Sequence, residues 1–565
     1  MKRSIALLLM LPQFVQAQSM PEKHYPKGYF RNPLNVPMEL AGNFGELRPN
    51  HFHSGLDLKT QQRENLPVHA AADGYVSRVG VSHTGFGNVL YITHPNGYTT
   101  VYAHLNKFFP QLDEYVERKQ YELESWAADL TIPPDLFPVR KGEFVAWSGN
   151  TGGSAGPHLH FEIRDSHTEK PLNGMLFGFN IPDTRDPEIS RIVVYDRNRS
   201  IFEQTPLVVP VHKGKDGKYA ASRPLVQVPT SKVSLGVSAL DRQSNSPNPN
   251  GIYEAMLLRD GALDLGFQLD NIGYDETRYL NAHIDYKMKK GGGPYVQLLF
   301  ALPGNQLDIY HDKAGEDGVI DLSDGQAHPV TVRVTDAYGN ASDVKISLQQ
   351  SGGKTAEAAC ANRMFPESMN IFENNQVEFS LDEGSLYDEV CFRYSEIAAG
   401  GGYSNIYRLH SALVPLHAGF SLRIKPTRAV PAHLKDKMVL ERKGLGESVT
   451  AATAEEDGWY RGSSRDLGDF QLVVDTIPPK ITPLGGIRQN ANLGGAGRIT
   501  FSMSDDSGVK SYRAELDGKW LRFSRKSNVV SYIFDKHCPP GTHTLTLTVT
   551  DIANNSSTYT LTFKR

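Results

Sequence analysis

Beyond about residue 186 the chain alternates apolar and polar positions with a period of two. The runs are short and are broken by Gly, Asn, Asp and Pro, as expected for half-buried strands joined by turns. Two stretches repeat one another. One opens Asp183-Thr184-Arg185-Asp186-Pro187-Glu188-Ile189, and the other opens Asp475-Thr476-Ile477-Pro478-Pro479-Lys480-Ile481. Each continues through an alternating strand and a polar turn into a further strand, from Val237 to Gly261 and from Phe501 to Gly518. They also close alike, with HPVTVRVTDAYGNAS from His328 to Ser342 and HTLTLTVTDIANNSS from His543 to Ser557. This pattern predicts two immunoglobulin-like β-sandwich modules, at residues 186–350 and 476–565. The 351–475 stretch between them reads as another β-rich domain, to which the sequence assigns no role.

The N-terminal part differs in its chemistry. Nine of the nineteen histidines fall between His51 and His167. Three short motifs carry them. In His53-Ser54-Gly55-Leu56-Asp57 a straight strand would hold His53 and Asp57 about 13 Å apart, but Gly55 allows a bend that brings them together. In Gly156-Pro157-His158-Leu159-His160-Phe161-Glu162-Ile163, period two places His158, His160 and Glu162 on one strand face and the apolar residues on the other. The third motif, Val101-Tyr102-Ala103-His104-Leu105, follows the apolar strand Asn88 to Ile92. Taken singly, each histidine would be assigned to a polar strand face or a satisfied core position. Together they offer what a hydrolytic metal site needs: three ligands drawn from neutral imidazole and carboxylate, an open position for water, and further groups to move a proton and stabilise an oxyanion.

Composition narrows the setting. With 565 residues the chain is too long for one core, and 39% hydrophobic with 22% charged residues is ordinary for a globular protein. A formal net charge of −4 gives no basic face for a phosphate backbone, so nucleic acid is not an expected partner. Lys2 and Arg3 precede the apolar run Ile5 to Leu11 and the small-residue site Val15-Gln16-Ala17, which predicts a signal peptide over 1–17 and an exported protein, periplasmic or secreted. No later stretch approaches the ~20 apolar residues of a membrane span. Of three cysteines, Cys360 and Cys391 can pair and leave Cys538 over, or all three can be free thiols.

The ordered set HSGLD, GFGNVLYITHPNGYTTVYAHL and WSGNTGGSAGPHLHFEIR resembles the lysostaphin-like (LytM-type) zinc endopeptidases of bacterial peptidoglycan, over about Asn43 to Asn173. The resemblance implies one zinc ion held by His53, Asp57 and His160, with His104 and His158 as catalytic histidines. It also implies a compact, mainly antiparallel β metallopeptidase domain at 37–185, after an N-terminal segment at 18–36. The fold class expected for the whole chain is therefore mainly β: this domain with a helical insert, then the β-sandwich modules. The implied activity is hydrolysis of peptidoglycan peptide cross-links, with the D,D bond favoured over oligoglycine because no recognisable wall-targeting module is present. The competing reading is an inactive relative that activates an amidase or serves as a wall-binding scaffold; the presence of all five site residues weighs against it. Peptidoglycan is the expected partner, and the β modules are expected to position the enzyme or contact a protein.

One departure from the family pattern is an insert, 106–138, between His104 and the Val139-Arg140-Lys141-Gly142-Glu143 turn. Leu112, Val116, Lys119, Leu123, Trp126 and Leu130 step by three and four, which predicts an amphipathic helix. Its expected place is against its own domain; the alternative is a wall along one side of the substrate groove.

Overall fold

The computed structural model describes Met20 and residues 23–244, 246–312, 317–352 and 359–565. The signal peptide expected over 1–17 lies outside the described residues. Strands dominate throughout, and no helix among the described residues is long and apolar enough to cross a membrane.

The N-terminal region is organised by one antiparallel sheet. Its strand order is Leu40–Gly42, Leu56–Lys59, His158–Asp165, Tyr98–Leu105, Asn88–Thr93, Gly74–Val81 and Ala128–Thr131. The register decides what this sheet can do. His160 lies directly opposite Asp57 on one neighbouring strand and opposite Ala103, the residue before His104, on the other. Directly paired residues share a sheet face, with Cβ atoms about 5 Å apart. Leu159, Phe161 and Ile163 therefore point to the opposite face, where all three are fully buried.

Gly55 meets the expectation of a bend but for a further reason. A Cβ there would lie 2.5 Å from the Phe161 carbonyl oxygen and 3.0 Å from His160 Nε2. Glycine is needed because the chain crosses against the His160 strand, which is what brings His53 up to it.

The insert forms a helix, Pro110–Glu122, shorter than the periodicity suggested. Glu124 adopts a left-handed backbone (φ 45°), so the helix stops before Trp126 and Leu130. Leu123, expected on the apolar face, is 58% exposed, and Leu130 belongs to the strand Ala128–Thr131. The helix buries Leu112 and Val116 against its own domain. Its other side meets the last module instead of a groove. Glu117 takes ion pairs from Lys536 and His537, both at 3.1 Å. Tyr121 stacks on His537 with ring centroids 3.7 Å apart, and Arg522 donates to Gln120 at 3.0 Å.

The two sequence repeats share their strand connections. In each, the opening strand (Glu188–Asp196; Lys480–Pro483) pairs with a later strand (Lys232–Leu240; Arg498–Ser504). In each, the closing hairpin (His328–Thr335 with Ala341–Gln350; Thr542–Asp551 with Ser556–Lys564) takes a short parallel strand on its outer edge (Leu225–Val228; Ala491–Asn492). The intervening 363–474 stretch is also built of β-sheets, and Cys360 and Cys391 are joined by a disulfide with Cα atoms 5.6 Å apart. Cys538 is a buried free thiol.

One continuous apolar core runs from Phe30 to Leu472, whereas Leu493 to Phe563 form a core of their own. The last module should therefore unfold as a separate unit. Phe501, fully buried at its centre, offers the check. Phe501→Ala is expected to cost the last module about 3–5 kcal/mol and to lower one of two calorimetric transitions while leaving the other in place.

Candidate functional site

His53, Asp57 and His160 meet on the face of the N-terminal sheet opposite Leu159, Phe161 and Ile163. His53 Nε2, Asp57 Oδ1 and His160 Nδ1 stand 3.0 Å from one another, at the corners of an equilateral triangle. All three side chains are buried, at 4–7% exposure. Two further histidines border the triangle. His158 Nε2 is 3.4 Å from Asp57 Oδ1, and the His104 ring lies 4.7 Å from that of His158 and 5.9 Å from that of His160. All five residues singled out in the sequence come together.

Each imidazole uses one ring nitrogen on an acceptor that faces away from the centre. His53 Nδ1 donates to the Asn43 carbonyl at 2.7 Å, His104 Nδ1 to the Thr151 carbonyl at 2.9 Å, and His158 Nδ1 to the Gly156 carbonyl at 2.8 Å. His160 Nε2 donates to Glu162 Oε1 at 2.8 Å. A carbonyl can only accept, so the proton sits on the outward nitrogen and the lone pair of the inward nitrogen faces the centre. Asp57 divides in the same way: Oδ1 completes the triangle, while Arg48 Nη2 holds Oδ2 at 3.2 Å.

Three inward-facing acceptors at this spacing repel unless something positive lies among them. Burial alone would raise the Asp57 carboxyl, but His53, His158 and His160 bring it well below the ordinary carboxylate range. Where no metal ion supplies that charge a proton does: burial alone would lower His160, yet its bonds to Asp57 through Nδ1 and to Glu162 through Nε2 hold it up to about 9. His104 shows the opposite balance: burial, then the neighbouring His160 and His158, push it down to about 3, so it is a neutral base at physiological pH. Its backbone is left-handed (φ 60°), uncommon for a residue with a side chain and a form of strain found at functional sites.

The donor set suits a divalent metal. Two imidazole nitrogens and one carboxylate oxygen match hydrolytic zinc centres, where ligands ~2.0–2.1 Å from the ion at tetrahedral angles lie about 3.3 Å apart. The triangle needs to open only slightly to meet that spacing. The outward bonds to a carbonyl and a carboxylate are the supports that metal-binding histidines ordinarily have.

Residues 51–121 match the family described as peptidase family M23, and 361–475 match a Zu5-like domain. An uncharacterized metalloprotease of Haemophilus influenzae is 33% identical over 162 residues, which cover 27% of this chain and 28% of that protein. The DD-carboxypeptidase/endopeptidase Mpg of Neisseria meningitidis is 37% identical over 162 residues, covering 28% of this chain and 31% of the relative. The chain thus spans less than a third of the length of these curated relatives. Among solved structures, the catalytic domain of lysostaphin from Staphylococcus simulans aligns at 24% identity over 24% of this chain and 87% of that one, with a TM-score of 0.18.

The chain carries a peptidase M23 domain.

What sequence reasoning missed lies one layer out from the triangle, and part of it comes from outside the M23 domain. Glu162 is wholly enclosed and accepts four hydrogen bonds. Its Oε1 takes His160 Nε2, the Ser54 hydroxyl at 2.6 Å and the Tyr274 hydroxyl at 2.6 Å; its Oε2 takes Arg164 Nε at 2.7 Å. Tyr274 belongs to the first β module, more than a hundred residues downstream. Although its ring is 46% exposed, its hydroxyl points into the cluster, also reaching Ser54 Oγ at 2.8 Å, and the Arg164 guanidinium lies 4.8 Å from its ring centroid. Burial and then the Glu162 charge raise its pKa well above the ordinary phenol value, which keeps it a donor.

The same module steadies His53. Asn43, whose carbonyl holds that ring, exchanges two 2.8 Å hydrogen bonds with Gly251. The last module in turn touches both loops beside the site: Lys526 Nζ reaches the Asn150 carbonyl at 3.3 Å, and His83 Nδ1 donates to the Arg525 carbonyl at 3.1 Å. Period-two reading placed Glu162 beside the histidines, but no local signal marks Tyr274, Asn43 or Gly251. Tyr274→Phe removes the hydroxyl and keeps the ring. It is expected to weaken binding of a divalent ion by about ten-fold, measured with Zn2+ against a competing chelator, at unchanged thermal stability.

Proposed function

We propose that this chain is a zinc-dependent endopeptidase acting on the peptide cross-links of bacterial peptidoglycan. The observation that carries the reading is the inward triangle of His53 Nε2, Asp57 Oδ1 and His160 Nδ1, each fixed from behind, beside two more histidines with an inward lone pair. In this reading those three atoms hold the metal. Zinc bound there would acidify water toward neutrality and polarise the scissile carbonyl. His158 and His104 take the remaining roles through Nε2: one accepts the proton of the attacking water and passes it to the leaving amine, and the other donates to the developing oxyanion. Their outward bonds to Gly156 and Thr151 keep Nε2 directed at the reacting atoms. Glu162, itself fixed by Ser54, Tyr274 and Arg164, holds His160 in place.

Residues 37–185 serve as the catalytic domain, and 186–350, 351–475 and 476–565 position it. The D,D cross-link is the favoured bond. It is supported by relatives named DD-carboxypeptidase/endopeptidase Mpg, in Neisseria, and peptidoglycan DD-endopeptidase ShyA, in Vibrio cholerae, the latter 28% identical over 162 residues. A glycyl-glycine endopeptidase, ALE-1 of Staphylococcus capitis, also matches, at 28% over 140 residues. The substrate and the expected signal peptide together set the place of action outside the cytoplasm.

The test combines metal content with product analysis. Mass spectrometry of D,D-cross-linked muropeptide dimers should show conversion to monomers, with pentaglycine-bridged substrate left intact. His160→Ala is expected to lose both zinc and turnover. His104→Ala is expected to keep the zinc and lose turnover by about 10²–10⁴-fold. Full turnover by His160→Ala, or muropeptides left uncut by zinc-loaded protein, would refute the assignment.

A further inference from the structure

The repeat relating the first and last β modules extends to their chemistry. Asp183, Asp241 and Asp336 each bring one carboxylate oxygen within 4.8 Å of the others, and Asp475, Asp505 and Asp551 do the same in the last module. The positions correspond. Asp183 and Asp475 open the two repeats, Asp241 and Asp505 directly follow the strands paired with the opening ones, Lys232–Leu240 and Arg498–Ser504, and Asp336 and Asp551 stand at the end of the first strand of the closing hairpin. Two stretches whose sequences have diverged elsewhere retain the same three carboxylates in one place.

In the first module Asp183 and Asp336 accept N–H groups of neighbouring residues, but three oxygens beside them have no hydrogen-bond partner among the described residues. Asp241 is only 3% exposed, and its Oδ1 has none. Asn250 is paired with Asp241 across an antiparallel bridge, which sets the two side chains on the same face; it is 5% exposed, and its Oδ1 has none either. The Tyr338 hydroxyl is a third; burial, then Asp183, Asp336 and Asp241, raise its pKa. Burial, and then the charges of Asp183 and Asp336, likewise push the Asp241 carboxyl up to about 7. Arg185 and Arg242 both pair with Glu188, and the Arg185 charge offsets the rise at Asp241 only in part. Orphaned buried oxygens are costly, and three adjacent carboxylates add mutual repulsion. A cation among them relieves both.

The donors are all oxygen, with no imidazole or thiolate, which selects a hard ion over zinc. Side chains converging from a linker, a strand end and a hairpin turn fit the flexible, six-to-eight-oxygen shell of calcium better than the strict octahedron of magnesium. We infer that the first β module binds a calcium ion through Asp183, Asp241 and Asp336, with Asn250 as a further oxygen ligand. Asp183 lies in the linker leaving the M23 domain, so the ion ties that linker to the module. Asn250 precedes Gly251, which clamps Asn43 and through it His53; the ion therefore firms the connection that positions a histidine of the catalytic centre.

The test uses the full chain, loaded with zinc so that the histidine site is filled, and titrates calcium calorimetrically. Thermal unfolding is followed in parallel in excess Ca2+ and in its absence. The expected result is calcium binding that raises the unfolding temperature, with Asp241→Asn reducing the stoichiometry by one ion. Asp183→Asn, a change in the linker, is the second variant and should lose the same ion. Failure of the unmodified chain to bind calcium would overturn the inference. So would an unchanged stoichiometry in a variant that still unfolds cooperatively.

Discussion

The histidine cluster is organised around a repulsion. Three acceptor atoms are turned inward to within 3.0 Å of one another in a buried setting, an arrangement that no side chains would choose for themselves. It persists because each group is held from behind: His53 by the Asn43 carbonyl, Asp57 by Arg48, and His160 by Glu162. The outward bonds fix tautomer and ring orientation, and the inward lone pairs are left with a common need for positive charge. That need is what suits the site to a metal ion.

The supports behind the triangle have supports of their own, and these cross the boundaries expected from the sequence. Glu162 would be a costly buried charge without donors on every side. Arg164, Ser54 and His160 come from the M23 domain, while the fourth donor, Tyr274, comes from the first β module. Gly251 of that module clamps Asn43. The shared core from Phe30 to Leu472 has the same meaning: the M23 domain and the two stretches after it pack as one body. The last module keeps its own core and touches the loops at 82–87 and 149–156 through polar contacts and the Tyr512 ring beside His83, an attachment easier to alter than a fused core.

Much of this was legible in the chain. Period two put His158, His160 and Glu162 on one face, and the strand holds them there. The repeat at Asp183 and Asp475 announced two related modules, and their strand connections agree. Part of the insert is helical, as its spacing predicted, and the helix stops at Glu122 because Glu124 turns left-handed, which a three-four spacing cannot reveal. Its role failed to show for a different reason: Glu117 and Tyr121 look like ordinary surface residues until the last module is set against them.

The sequence by itself determined the local terms: which residues share a strand face, where glycine must stand, and which short motifs hold the nitrogen and oxygen donors. Those follow from backbone periodicity and side-chain chemistry within a few residues. Tertiary structure alone decided the register that sets His160 opposite Asp57, the burial that moves His104 and His160 in opposite directions, and the arrival of Tyr274 at Glu162 from over a hundred residues away. These depend on distances between segments remote in the chain, and electrostatic energies in a buried site depend on every charge and dipole that folding brings near.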